Sequence, residues 1–255
     1  MALLELRGAV KRFGRLTVLK DLSLSVEAGA IDGVIGPNGA GKSTLFNIVT
    51  GVYRPDAGEV AFDGARIDGL ATYRIARRGI ARTFQNLRLF GYLDAIENVL
   101  IGENSKLGAS LADSLLHTPR ERREEASARA RALELLDFVG LPHESQGQFA
   151  RNLPYGAQRR LEIARALASQ PRLLLLDEPA AGMNPTEKDE LARLIRAIRD
   201  RGTTVLLIEH DMGLVMRLCE RITVLDYGEK IAAGSPASVR ANPRVIEAYL
   251  GPAAS

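Results

Sequence analysis

Apolar and polar positions along the chain change their period several times, and each change marks an element. From Leu3 to Val26 the pattern mostly alternates, with Leu22, Leu24 and Val26 on one face. That predicts antiparallel strands, with Phe13-Gly14 in the turn between them. A short apolar run, Val34-Ile35, enters a glycine-rich stretch, and Leu45-Phe46-Asn47-Ile48-Val49 follows at helical spacing until Gly51 ends the helix. Gly58 to Phe62 returns to strand, and near Phe84-Gln85 the periodicity gives way to loop. From about 86 to 151 strand-like runs vanish, and Glu121 to Val139 reads as a charged helix with apolar positions near Leu133 and Leu136. Beyond it, Leu161 to Leu167 is helical, Leu173 to Leu176 is a buried strand, and Glu187 to Arg201 carries Leu191, Leu194, Ile195 and Ile198 on one side. Thr203 to Ile208 is another buried strand, then come a hairpin around Tyr227-Gly228 and a helix near Val245 to Leu250. This alternation predicts an α/β fold with a mostly parallel core sheet, an N-terminal antiparallel β part and an inserted α-helical subdomain. The chain reads as one domain over 1–255: a core of 1–85 and 152–255, with the helical insert at about 86–151.

Composition narrows this picture only modestly. The 34 basic and 31 acidic residues among 255 leave a formal charge of +3, too mild to argue for nucleic acid. Arg120, Arg122, Arg123, Arg129 and Arg131 alternate with glutamates and read as a solvated helix face. Cys219 is the single cysteine, which excludes an intramolecular disulfide, fits a reducing compartment and reads as a small buried residue. No run approaches the ~18 apolar residues of a membrane span, and no signal peptide is evident. The expectation is a soluble, cytoplasmic protein that meets any membrane through a partner.

The glycine-rich stretch carries the chemistry. Gly36, Pro37, Asn38, Gly39, Ala40, Gly41, Lys42, Ser43 and Thr44 match the phosphate-loop pattern at every fixed position. The glycines let successive amides point at phosphate oxygens, Lys42 brings a compact charge to the β- and γ-phosphates, and Ser43 offers Mg²⁺ a hydroxyl. A nucleoside triphosphate is the expected ligand. Leu173 to Leu176 then runs into Asp177-Glu178-Pro179, and ligands gather at the carboxyl ends of parallel strands. Asp177 suits Mg²⁺, and Glu178 suits general-base work on the attacking water. The next strand ends at Glu209-His210-Asp211, where an imidazole could reach the γ-phosphate; by itself this reading is even with that of a satisfied polar residue. For His117 and His143, in the insert, the reading is that of satisfied polar residues.

Together these residues resemble the ATP-binding subunits of ABC transporters, over essentially the whole chain. Further segments carry the resemblance: Arg82-Thr83-Phe84-Gln85, like a Q-loop; the signature-like stretch at 153–158, within Leu153-Pro154-Tyr155-Gly156-Ala157-Gln158-Arg159-Arg160; and Ala180-Ala181-Gly182-Met183-Asn184-Pro185, like a D-loop. Within the family the chain is most similar to the larger ATP-binding subunit of branched-chain (hydrophobic) amino acid importers, through 82–90, 159–167, 180–185 and the tail from Asn242-Pro243 to Tyr249-Leu250-Gly251. Urea and short-chain amide importers are close relatives.

The resemblance implies a P-loop ABC cassette that hydrolyses ATP with Mg²⁺. Phe13 would stack on adenine, Gln85 would ligate Mg²⁺ or water and couple to the membrane partner, Ser43 and Asp177 would hold the metal, Glu178 would be the base and His210 the switch. Tyr155 and Gly156 of one subunit would close over ATP bound to the other. It further implies a second ATP-binding subunit (a hetero- or homodimer), permease subunits, indirectly a substrate-binding protein, no nucleic acid, and a peripheral place on the cytoplasmic face of the inner or plasma membrane. A soluble ABC ATPase of DNA repair, translation or cofactor assembly usually has two cassettes, a long coiled coil or zinc-binding cysteines, and a nucleotide kinase would leave the signature unexplained.

Three departures stand out. The family's signature serine is replaced by Pro154, which has neither hydroxyl nor N–H, and its glutamine by Ala157. Asn184 replaces the usual D-loop aspartate, removing a charge near the dimer seam. Asp32 and Gly33 interrupt the strand before the phosphate loop, and Asp32 is expected at a surface end. The first departure generates a prediction. The ATP site that this signature completes should close weakly, so disabling the two sites of the dimer in turn should depress transport unequally; equal losses would count against it.

Overall fold

The computed structural model describes residues 2–103 and 119–250. His117, the side chains of Arg120, Arg122 and Arg123, and Gly251 lie outside the described residues. In chain order the elements are β1 (Ala2–Phe13), β2 (Leu16–Glu27), β3 (Ile31–Ile35), α1 (Lys42–Val49), β4 (Ala57–Phe62), β5 (Ala65–Arg66), α2 (Thr72–Arg77), β6 (Ile80–Arg82), α3 (Ala95–Glu103) and α4 (Pro119–Phe138). There follow α5 (His143–Gln146), α6 (Tyr155–Ala168), β7 (Leu173–Asp177), α7 (Pro185–Asp200), β8 (Thr204–Ile208), α8 (Met212–Leu218), β9 (Arg221–Asp226), β10 (Glu229–Gly234), α9 (Pro236–Arg240) and α10 (Pro243–Leu250). The chain divides into two compact units, one of residues 1–75 and 172–255 and one of residues 76–171.

The first unit holds two sheets. One is antiparallel in the order β2-β1-β4-β5, built on the alternation that buries Leu22, Leu24 and Val26. The other runs β10-β9-β3-β8-β7, with β3 parallel to both β8 and β9, β7 parallel to β8, and only the β9–β10 hairpin antiparallel. All five positions of β7 and of β8 are buried, as expected for parallel strands covered on both faces. Each such leucine contributes about 1.5–3 kcal/mol as an upper estimate. The α7 crossover between them starts from a complete capping box, Asn184 with Glu187, followed by Pro185, and buries Leu191, Leu194, Ile195 and Ile198.

In the second unit α3, α4 and α6 pack together. The charged α4 turns Ala132 and Leu136 inward and leaves Arg129 and Arg131 in solvent, Arg131 pairing with Glu103. A side chain at Gly102 would run into the carbonyl of Arg165, so glycine permits the close approach of α3 to α6.

One expectation is overturned. Asp32 is not at a surface end: it is 5% exposed, inside β3, between Leu206 of β8 and Arg221 of β9. The strand starts at Ile31, opposite Val205, which leaves position 32 no access to solvent from the strand's end. Gly33 has its own reason, since a Cβ there would lie 2.9 Å from the sulfur of buried Cys219. Burial pushes that thiol up, away from thiolate chemistry.

Burial also raises the Asp32 carboxyl from 3.8 to about 7, with Glu220 and Glu27 adding to it and Arg221 opposing. Between those pH values the folded chain binds a proton that the unfolded chain has released. Stability therefore falls as pH rises through that window and levels off above it. Asp32→Asn should change stability little near pH 4 and raise it by roughly 1–3 kcal/mol at pH 8, read from urea melts at both pH values; a pH-independent change would refute the assignment.

Candidate functional site

The phosphate loop leaves the carboxyl end of β3 under tight constraint. A side chain at Gly36 would run into the main-chain carbonyl of Leu225, and Gly41, with φ at 99°, turns the chain into α1 in a conformation that favours glycine. The Gly228 amide donates to the Ala40 carbonyl at 3.2 Å, so the β9–β10 turn backs the loop. Asn38, Gly39 and Ser43 are exposed. Lys42 is 5% exposed, and its ammonium donates to the carbonyls of Gly36 at 2.7 Å and Pro37 at 2.9 Å. Burial lowers its pKa, while the charges of Glu178 and Asp177 act the other way. The loop lysine and the strand-end acid pair are thus brought together.

Asp177 ends β7 and is buried. Glu178, one residue on, has φ at 48°, in the left-handed region, held by its N–H donating to Ile208 at 2.9 Å and its carbonyl accepting from Ala181 at 3.2 Å. Across the strand ends, His210 Nε2 lies 2.8 Å from Glu178 Oε1. The imidazole read from the sequence as either a functional or a merely satisfied group is therefore paired with the acid. Asp211 caps α8 through the Leu214 amide at 3.0 Å and binds Lys188 at 2.6 Å. Asn184 serves as the cap of α7.

Phe13, at the tip of β1, is 43% exposed, with Tyr53 edge-on at 5.2 Å and the Lys11 ammonium at 5.4 Å. Its ring is available for a planar ligand.

Gln85, Tyr155 and Gly156 belong to the second unit, where a buried ion pair joins the first two. Arg159 and Glu162 on α6 are 0% and 1% exposed and lie 2.9 Å apart. The Arg159 guanidinium donates to the carbonyls of Phe84 at 2.7 Å and Gln85 at 2.9 Å and to the Tyr155 hydroxyl at 2.9 Å. Glu162 accepts more weakly from the amides of Phe84 and Arg88, each at 3.4 Å. Burial raises the Glu162 pKa and Arg159 pulls it back. Pro154 occupies the N-cap position of α6 without a side-chain capping bond, and Gly156 lies in the first turn.

Sequence reasoning gave no role to Arg159, Glu162 or Glu209, and it placed the hairpin at Tyr227-Gly228 without its bracing contact to the phosphate loop. Charged residues at positions 159 and 162, three apart amid the apolar residues of α6, were a signal for the pair. Glu209 and Gly228 have no local signal, because tertiary neighbours define their roles.

Among the described residues no three His, Cys, Asp or Glu side chains gather to hold a metal. The oxygen set here, the Ser43 hydroxyl and the Asp177 carboxylate, fits a Mg²⁺ ion that takes its other ligands from phosphates and water.

A glycine loop with a buried lysine, an acid pair ending the neighbouring parallel strand, and an imidazole on that acid define a P-loop ATPase of the ABC type. The chain belongs to the ABC transporter family, whose model matches residues 19–181; that for the branched-chain amino acid ATP-binding cassette transporter matches residues 229–251. It is 47% identical to the high-affinity branched-chain amino acid transport ATP-binding protein BraF of Pseudomonas aeruginosa and 46% identical to LivG of Escherichia coli, covering 98% of each chain in both cases. The ADP conformation of an ATP-binding cassette of an ABC transporter superimposes with a TM-score of 0.86 at 33% identity, over 99% of this chain and all of that one. The protein binds and hydrolyses ATP.

Glu178→Gln should leave ATP affinity intact and lower turnover ~10²–10⁴-fold, the usual worth of a general base. Nucleotide titration beside steady-state phosphate release checks both, and near-normal turnover would sink the assignment.

Proposed function

We propose that this chain is the ATP-hydrolysing motor of an importer for branched-chain, hydrophobic amino acids. The observation that carries the reading is the near-full-length identity to BraF and LivG, which extends through the C-terminal segment. No helix among the described residues is long and apolar enough to cross a membrane. We place the chain on the cytoplasmic face of the inner or plasma membrane, held there by separate permease subunits, with a substrate-binding protein delivering the amino acid.

Each site residue has a role in this reading. Gly36 to Thr44 wrap the phosphates, Lys42 balances their charge and Phe13 stacks on adenine. Mg²⁺, when bound, neutralises charge on the phosphate oxygens. Ser43 and Asp177 hold that ion, with Gln85 as a further oxygen ligand. Glu178 takes the proton of the attacking water while His210 holds the water and the acid in line. A second cassette, identical or not, is required, because Tyr155 and Gly156 act on ATP held by the partner. The Gly156 amide, in the first turn of α6, favours an anion through the helix dipole. In place of the signature hydroxyl stands Pro154.

Uptake of labelled leucine, isoleucine and valine by cells lacking this chain tests the substrate class. Wild-type protein should restore it, and Lys42→Ala should leave it below about a tenth of that level, since the phosphate loop anchors the triphosphate. Unchanged amino acid uptake with collapsed uptake of urea or acetamide would assign the motor to that other substrate.

A further inference from the structure

Glu209 is a buried acid for which the hydrolytic roles above have no use. It is 3% exposed, immediately after β8 and immediately before His210. Its hydrogen-bond partners are main-chain amides from two different segments. Oε1 accepts from Ala180 at 2.7 Å, while Oε2 accepts from His210 at 3.0 Å and Asp211 at 3.4 Å. Ala180 lies two residues past Glu178 and opens the loop that ends at Asn184, the cap of α7. One carboxylate therefore ties the chain leaving β7 to the chain leaving β8.

Those two segments carry the pair whose spacing matters for hydrolysis. Glu178 is held in a left-handed backbone conformation, which a non-glycine residue keeps only where its surroundings enforce it. The bond from its own amide to Ile208 restrains it on one side, and the Ala180 amide on Glu209 restrains the next turn of chain. The amide of His210 is held by the same carboxylate, and its ring meets Glu178 at 2.8 Å. Lys188 of α7 binds Asp211 at 2.6 Å, so a second link joins the same two segments further out.

We propose that Glu209 is a positioning residue for ATP hydrolysis: its carboxylate clamps the main chain after Glu178 to the main chain at His210 and so sets the geometry of that acid–imidazole pair. A carboxylate suits the task because both oxygens accept and neither donates. An amide of the same shape turns an NH₂ toward amides that already donate. The clamp also links the loop 180–184 to the histidine, so a displacement of that loop is transmitted to the hydrolytic pair through one side chain.

The inference rests on the assignment of Glu178 and His210 to hydrolysis, so Glu178→Gln is carried alongside. The test compares Glu209→Gln with wild type in the transporter assembled in its membrane, measuring kcat and KM for ATP, with nucleotide affinity and amide hydrogen exchange read on the isolated full chain. The expected result is a kcat lowered between about 10- and 100-fold, the scale of small misplacements of reacting groups, with ATP affinity within about twofold. Exchange at the Ala180 and His210 amides should accelerate while the strands keep their protection. A kcat within about twofold of wild type, or parallel losses of kcat, ATP affinity and melting temperature, overturns the proposal. Where Glu209→Gln does not fold, Glu209→Asp, which keeps the charge but falls one methylene short, takes its place. Failure of both to fold assigns the residue a structural role alone and likewise overturns it. Normal turnover in Glu178→Gln would instead remove the hydrolytic assignment itself, an outcome distinct from failure of the clamp.

Discussion

The in-register pairing of β7 with β8 is the constraint on which the hydrolytic end of this protein depends. Asp177 stands opposite Ile208, so the next residues on each strand, Glu178 on one and Glu209-His210 on the other, emerge side by side. Side chains alternate along a strand, so a slip of one residue would send each to the opposite face and separate the pair. The strands beneath are wholly apolar: Leu173 to Leu176 and Val205 to Ile208 are fully buried, as expected for parallel strands covered on both faces. The polar chemistry thus stands on an apolar foundation, and the left-handed Glu178 is enforced by its amide's bond to Ile208 and the Ala181 amide's bond to its carbonyl.

Buried charge serves a different end in the second unit. The Arg159–Glu162 pair, withdrawn from water, is costly to form and adds little net stability compared with a well-packed apolar pair. Its hydrogen bonds instead run to the main chain of Phe84, Gln85 and Arg88 and to Tyr155, so it welds the loop that carries Gln85 to the helix that carries the signature. The loop of Gln85 and the helix start at Tyr155 are thereby bonded to one guanidinium.

Asp32 shows the same fold accepting a penalty. A carboxyl enclosed in β3, with two further acids near it and one arginine opposing them, is a local conflict between sequence and structure. Gly33 beside it is explained by space, since Cys219 packs against the strand there.

Much of this was legible without coordinates. Runs of four apolar residues ending in acids, alternation in the first 26 positions and the 3.6-residue period of α7 determined the elements, because burial imposes those periods wherever the chain packs. The phosphate loop and the acid pair were likewise local, since their chemistry needs fixed spacing along one segment. Tertiary structure decided what depends on residues distant in sequence: that Asp32 is enclosed between β8 and β9, that His210 meets Glu178, that Arg159 and Glu162 reach the main chain at 84–88, that Gly228 braces the phosphate loop, and that Glu209 faces Ala180. A periodic pattern reports which face of an element is buried. Which groups meet across that face depends on the register between strands and the packing between helices, and those are properties of the folded chain.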